Sequence, residues 1–233
     1  MLKDSFHIRN AHCIALLVFA AVSFVGCGPK VFEDADALYA YVYSDKYPSK
    51  DVVNREGVTV VARYLPTNAV MVNDYRAAER QAVEIRSDAS LTESERTQRI
   101  EALERSLRTT AAAFDQSVYF NVTLGFDSGE DIVYSKLQRR GYGSYSAWLE
   151  TLLFGIEEQL SLRNGPLELE PTGYLLDRMY GMTPTRSFLV SFPKAGLDQS
   201  TVQLCLGEIG LGTGTLTFDF DIATQPVQYR LPS

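Results

Sequence analysis

The chain has 233 residues, a formal net charge of −7 at pH 7, and an ordinary hydrophobic content of 45%. An acidic chain without a clustered Lys/Arg stripe lacks what phosphate-backbone binding requires, so nucleic acid is not an expected partner. Both histidines, His7 and His12, fall within residues 1–26. The remainder therefore has no histidine for Ser-His-Asp or Cys-His nucleophile activation, for an HExxH zinc site, or for a histidine-rich metal site.

The first segment reads as an export signal. Lys3 and Arg9 stand against one acid, Asp4, and residues 13–25 (CIALLVFAAVSFV) are almost wholly apolar before Gly26, Cys27, Gly28 and Pro29 end the run. A charged start, an apolar stretch of roughly 7–15 residues and a small-residue exit are what export machinery reads. The run falls short of the ~20 apolar residues that a membrane-crossing helix needs. At its end, Phe24-Val25-Gly26-Cys27 resembles the lipobox of bacterial lipoproteins, with phenylalanine where leucine is usual. That resemblance implies cleavage before Cys27, a diacylglycerol thioether on its sulfur, and acylation of the new amino terminus by a palmitate-like chain. Two or three acyl chains hold a protein on a membrane far more firmly than one. Gly28 after the cysteine resembles an outer-membrane sorting signal. The expected organisation is a signal peptide over 1–26, a lipidated tether over 27–33 and one domain over 34–233. Because residues 1–26 carry a net +1, the remaining 207 residues are one unit more acidic than the whole chain. Once Cys27 is lipidated, Cys205 stands alone among Val202, Leu204 and Leu206, and is expected to be a buried, structural thiol.

Residues 34–47 suit a helix capped by Asp34, with Leu38, Tyr41 and Val42 on one face. Tyr39, Tyr43 and Tyr47 line another at i, i+4 spacing, expected to pack against the domain. Residues 57–65 (GVTVVARYL) alternate and are β-branched, which predicts a strand stopped by Pro66. Residues 67–115 then predict a long antiparallel helical hairpin. In its first helix Tyr75, Ala78, Ala82, Ile85 and Ala89 recur at nearly heptad spacing. Capping boxes at Ser90–Glu93 and Thr92–Glu95 start the second helix, where Ile100, Leu103, Leu107, Thr110 and Phe114 step by 3 and 4. A narrow apolar seam flanked by charge suits either an arm that grips a protein partner or an insertion lying along the domain. Residues 117–126 alternate cleanly as a strand. Residues 130–139 and 144–160 predict helices, the second burying Leu149, Leu152, Leu153, Ile156 and Leu160 beside Trp148. The last third predicts strands at 167–176, 187–192, 201–208 and 215–222. The sum is an α+β class: an antiparallel β-sandwich-like domain with helical insertions.

Constellations with chemistry are few. The glycines of residues 207–214 (GEIGLGTG) lack the helix that must follow a dinucleotide loop, so a hairpin loop is expected instead. Glu208, Asp219 and Asp221 on one sheet edge invite a Ca²⁺ or acid/base reading, but alternating strand acids more often form a solvated face. If the β region holds a ligand site, Asp177, Arg178, Tyr180, Arg186 and Glu208 are its candidates, with a local ion pair as the plain alternative. No cofactor, metal or catalytic residue is expected. The expectation is a lipid-anchored envelope protein with a binding or scaffolding role, its membrane contact through Cys27 and a protein partner through residues 67–115. The alternatives are a carboxylate-dependent hydrolase of an envelope polymer and a carrier of an apolar ligand.

Overall fold

A computed structural model describes residues 28–177 and 183–232, and of residues 133, 134 and 136–140 the backbone alone. Its strand-forming segments gather into two antiparallel sheets and one small parallel pair, with helices in between: a mixed α+β architecture. The elements in chain order begin with β1 (Lys30–Phe32), α1 (Ala35–Val42), β2 (Lys50–Arg55) and β3 (Val58–Leu65). Then come α2 (Thr67–Val70), α3 (Val72–Ser87), α4 (Glu93–Phe114), β4 (Ser117–Phe126) and α5 (Ile132–Glu150), which is two helical pieces divided by a kink at Gly141, φ 76°. The chain closes with β5 (Leu160–Asn164), β6 (Leu167–Leu169), β7 (Gly173–Leu176), β8 (Arg186–Pro193), β9 (Thr201–Leu206), β10 (Leu216–Asp221) and β11 (Val227–Tyr229).

One sheet has the order β2-β3-β4-β8-β7, and the other β10-β9-β5-β6. Alternation decides their inner faces. Val60, Ala62, Phe120, Val122, Leu124, Phe188 and Val190 of the first sheet join Leu162, Val202, Leu204, Phe218 and Phe220 of the second in one buried core. The Phe120 and Phe220 rings meet across it, centroids 5.1 Å apart. Trp148, Leu152 and Ile156 complete the same cluster. At the rim, Arg55 Nη1 donates to the Thr213 and Thr215 carbonyls, tying β2 to the chain leading into β10.

A second core lies among the helices. Leu38 and Val42 of α1, Met71 between α2 and α3, Val72 and Tyr75 of α3, and Val227 of β11 pack together, with Tyr119 and Leu189 of the five-stranded sheet against them. Tyr47 lies past the end of α1, buried, its hydroxyl donating to the Tyr64 carbonyl. The expected tyrosine row is thus divided: Tyr39 and Tyr43 stay exposed as a pair with ring centroids 4.6 Å apart.

Several boundaries differ from expectation for identifiable reasons. The predicted strand over 167–176 is two strands in different sheets, because the chain crosses between the layers at Pro171, which cannot donate to a ladder. The helix predicted over 144–160 ends earlier. After Glu150 the backbone widens into a π turn over Thr151–Gly155, tightens to a 3₁₀ turn over Glu157–Gln159, and extends at Leu160 as β5. β2 pairs with β3 through a two-residue turn, Glu56-Gly57, both at positive φ (52° and 75°). That geometry matches the right-handed strand twist. Within the segment expected as a tether, Lys30–Phe32 form β1 and pair in parallel with β11. Among the described residues, no helix is long and apolar enough to cross a membrane.

Candidate functional site

The surface that stands out is the pair α3 and α4, 16 and 22 residues long, which pack on one another. α3 buries Val72, Tyr75, Ala78 and Ala82. Polar bonds reinforce its seat. Glu79 Oε1 accepts the Ala35 backbone N–H at 2.7 Å and the Tyr229 hydroxyl at 3.0 Å, so one carboxylate joins α3 to the first turn of α1 and to β11. The Tyr75 and Tyr229 rings stack with centroids 3.8 Å apart. Arg76 pairs with Asp36 at 2.7 Å and lies 4.9 Å from the Tyr39 ring centre.

The link between the helices is built by its own polar groups. Asp88 Oδ1 accepts from the Ser90 N–H and hydroxyl, and Arg96 Nη2 donates to the Asp88 carbonyl at 2.9 Å. Thr92 and Glu95 form the expected capping box, each side chain accepting the other's backbone N–H. Those bonds from Thr92 hold the Glu95 carboxyl below its ordinary range, as bonds from Ser90 do for Asp88.

α4 itself is unusual: none of its 22 residues is buried. Its apolar seam, Ile100, Leu103, Leu107, Ala111 and Phe114, is only half-covered, and the flanks carry the exposed pairs Glu101–Arg105 and Glu104–Arg108. Two open grooves flank the pair. One of about 380 Å³ is lined by Arg86, Glu93, Arg96, Thr97, Ile100 and Glu101. The other, about 340 Å³, includes Tyr75, Leu107, Ala111 and Tyr229. A half-covered stripe between open grooves can take one more helix or strand; it offers no reacting group.

The residues singled out in the β region fall into separate places. Cys27, Arg178 and Tyr180 lie outside the described residues. Asp177 sits opposite Ser187, its backbone N–H donating to the Ser187 carbonyl, on the outer face of the five-stranded sheet. Arg186 belongs to the core-facing row of Phe188 and Val190. It therefore turns away from Asp177, and its guanidinium bonds the Thr183 and Thr185 carbonyls and pairs with Asp131 at 3.4 Å. Glu208 is on the other sheet's loop, held by its own backbone. The Leu211, Gly212 and Gly214 N–H groups donate to its carboxylate at 2.6, 2.9 and 2.6 Å. Burial alone would raise the Glu208 carboxyl, but the N–H groups of Gly212, Gly214, Leu211 and Gly210 bring it below its ordinary range. Gly210, Gly212 and Gly214 are all at positive φ, between 64° and 82°, which lets these N–H groups converge. The nest that phosphate would need is filled by the chain's own carboxylate.

Asp219 and Asp221 are likewise engaged locally, Asp219 accepting from Gln203 Nε2 and Asp221 from the Ala223 N–H and Thr224 hydroxyl. Across the outer face of the four-stranded sheet runs an open groove of about 680 Å³ that includes Glu157, Glu158, Arg163, Glu168 and Cys205. Glu168 accepts from the Ser161 hydroxyl and Arg163, which hold its carboxyl low, opposite to what a general acid at neutral pH needs. Burial pushes the Cys205 thiol up, away from a reactive thiolate. No group of three or more His, Cys, Asp or Glu among the described residues is placed to hold a metal ion.

Sequence reasoning passed over Glu79 and Asn164. Glu79 had a usable signal, one turn beyond Tyr75 on the buried stripe. Asn164 had none, because its four bonds go to Asp198, Gln199 and Thr201, more than thirty residues away.

No protein-family model matches the chain, and no curated protein matches it. Among solved structures, a DUF4426 family protein from Pseudomonas aeruginosa PAO1 aligns with 75% of this chain and 93% of its own, at 11% identity and a TM-score of 0.32. A likeness at that score carries no argument about fold or activity.

Proposed function

We propose that this chain is a lipid-anchored protein of the bacterial envelope with a binding or scaffolding role, attached through Cys27 and engaging a protein partner through α3 and α4. The observation that carries the partner half is α4: 22 residues with none buried, and an apolar seam left half-covered. A helix stabilised by packing of an apolar stripe gains from further burial at about 25 cal/mol per Å² of apolar surface, which a partner would supply. The lipobox-like Phe24-Val25-Gly26-Cys27 supports the anchor half, and Gly28 an outer-membrane destination. In this reading α3 and α4 form an antiparallel hairpin and the two sheets a β-sandwich-like body beneath it.

Two measurements test the halves separately. Cells expressing the wild-type chain should incorporate labelled palmitate into it and retain it with membranes, and Cys27→Ser should abolish both; continued labelling of the variant removes the anchor. Photo-crosslinkers placed at Arg105 and Arg108 in living cells should yield a discrete protein adduct that crosslinkers on the exposed β10 residues Thr217 and Asp219 do not. Identical adduct patterns from the helix and the strand remove the partner role of α4.

A further inference from the structure

If Cys27 carries lipid, the fold constrains how the body stands on the membrane. β1 begins at Lys30. Three residues of fully extended chain reach at most about 11 Å, so Lys30 cannot be farther than that from the lipidated cysteine. The Lys30 N–H donates to the Pro226 carbonyl at 3.0 Å, and the register Lys30↔Val227 to Phe32↔Tyr229 is parallel. The turn before β11 therefore lies at the same level as the start of β1, and β11 leads away from it.

α3 follows β11 in the same direction. Asn68 of α2, the short helix that leads into α3, donates to the Val227 carbonyl; Tyr75 stacks on Tyr229; Glu79 accepts from the Tyr229 hydroxyl; and Arg86 donates to the Pro232 carbonyl. Contacts that advance together along both segments require that they run side by side and point the same way. From Tyr75 to Ser87 a helix rises about 18 Å at 1.5 Å per residue. Two strand steps from Val227 to Tyr229 add about 7 Å.

We infer that, in the lipidated protein, the end formed by Lys30 and residues 223–226 lies against the bilayer headgroups, and that the α3–α4 turn at residues 88–92 points away from them, roughly 25 Å farther out. The inference rests on the proposed anchor at Cys27. Side-chain chemistry agrees with it. Lys30 is exposed at this end, its ammonium 4.3 Å from the Tyr41 ring centre, a cation placed to reach headgroup phosphates. The opposite end carries Glu84, Asp88, Glu93 and Glu95 together with Arg86 and Arg96, and so offers no net cationic patch to an anionic leaflet. The partner-binding seam of α4 then rises from the membrane instead of lying on it.

The test uses the lipidated protein in vesicles of phosphatidylcholine and phosphatidylglycerol, with a fluorophore on one introduced cysteine, Ala223→Cys or Ser90→Cys, in a Cys205→Ala background. Both positions are exposed, and the lipidated Cys27 sulfur cannot take the label. Lipids quenching at headgroup depth should reduce the fluorescence at 223 at least about twofold and leave that at 90 unchanged. Equal quenching at the two sites, quenching at 90 alone, or no quenching at either on vesicle-bound protein overturns the orientation. Mass measurement of Cys27 and vesicle flotation are read on the same samples. Unlipidated protein that fails to float removes the anchor, and the orientation with it. Lipidated, floating protein with the wrong quenching pattern removes the orientation alone.

Discussion

Oε2 of Glu208 accepts the backbone N–H of Gly214 at 2.6 Å, while Oε1 takes the N–H groups of Leu211 and Gly212. A glycine-rich loop of this kind could cradle an external anion. Here a carboxylate from the loop itself, two residues past the end of β9, occupies the cradle, so the loop is closed on itself.

The same geometry sets a pH dependence. Because the folded Glu208 carboxyl sits below its ordinary value, its contribution is fully present above the unfolded value near 4.3 and is lost as pH falls through the folded one. Glu208→Gln should therefore lower stability at pH 7 by about 1 kcal/mol, a figure kept small because the group is largely exposed. In acid, as pH falls through the folded value, the difference from wild type should shrink. Urea denaturation at neutral pH and in acid checks this; a penalty as large in acid as at neutral pH would show that shape, not charge, holds the loop.

Asn164 carries a heavier structural load. It is 1% exposed, and its amide donates to the Gln199 and Thr201 carbonyls while its oxygen accepts the Asp198 and Gln199 N–H groups. Asn164→Ala leaves buried backbone groups without partners, at a cost of about 2–3 kcal/mol; Asn164→Asp keeps the acceptor and loses both donated bonds. Both variants should unfold at lower urea than Glu208→Gln. An Asn164→Ala midpoint within error of wild type would mean that the loop over residues 194–200 finds other partners.

What was legible in the sequence followed local periodicity. β10 needed nothing but alternation: Leu216, Phe218 and Phe220 point in, and Thr217, Asp219 and Asp221 point out. The Thr92–Glu95 box was readable for the same reason, since all its atoms lie within one turn. β5 shows how a local pattern misleads. Leu152, Ile156 and Leu160 are all buried at four-residue spacing, as in a helix, yet the backbone passes from π to 3₁₀ to extended across them. β2 was hidden because an edge strand with no buried residue has no alternation to read. The β-region residues depended on register. Asp177 and Arg186 are near in sequence and adjacent in the sheet, but the pleat sends them to opposite faces, and Arg186 meets Asp131 instead.

Glu79 offers a test of how firmly α3 is fixed to the rest of the molecule. Its carboxylate accepts from both Ala35 and Tyr229, and that bond, after burial, pushes the Tyr229 phenol well above its ordinary range. Glu79→Ala should cost about 1–2 kcal/mol by leaving the α1 N-terminus and the phenol short of an acceptor. Tyr229→Phe keeps the ring stacked on Tyr75 and should cost about 1 kcal/mol or less. If the two act through one bond, the double variant should lose less than the sum of the singles. Thermal denaturation of the four proteins measures the coupling, and strict additivity would count against the shared bond.

The charged flank of α4 separates stability from recognition. Arg105 and Arg108 meet Glu101 and Glu104 at 3.8 and 3.7 Å, with Glu104 half-buried and the other three side chains exposed. Exposed pairs of this kind contribute about 0.3–0.5 kcal/mol each. Reversing both charges, Arg105→Glu with Arg108→Glu, should therefore lower the folding stability by no more than about 1–2 kcal/mol, including the new like-charge neighbours. A partner seated on the half-covered seam of α4 would meet an inverted rim, and crosslinking from a photo-crosslinker at the exposed Ala112 of that helix should fall at least tenfold. The double variant should stay folded by circular dichroism and keep its membrane retention, since neither depends on this face. Undiminished crosslinking in a folded double variant would mean that the partner, if it docks on this pair, reads the seam without its charged rim.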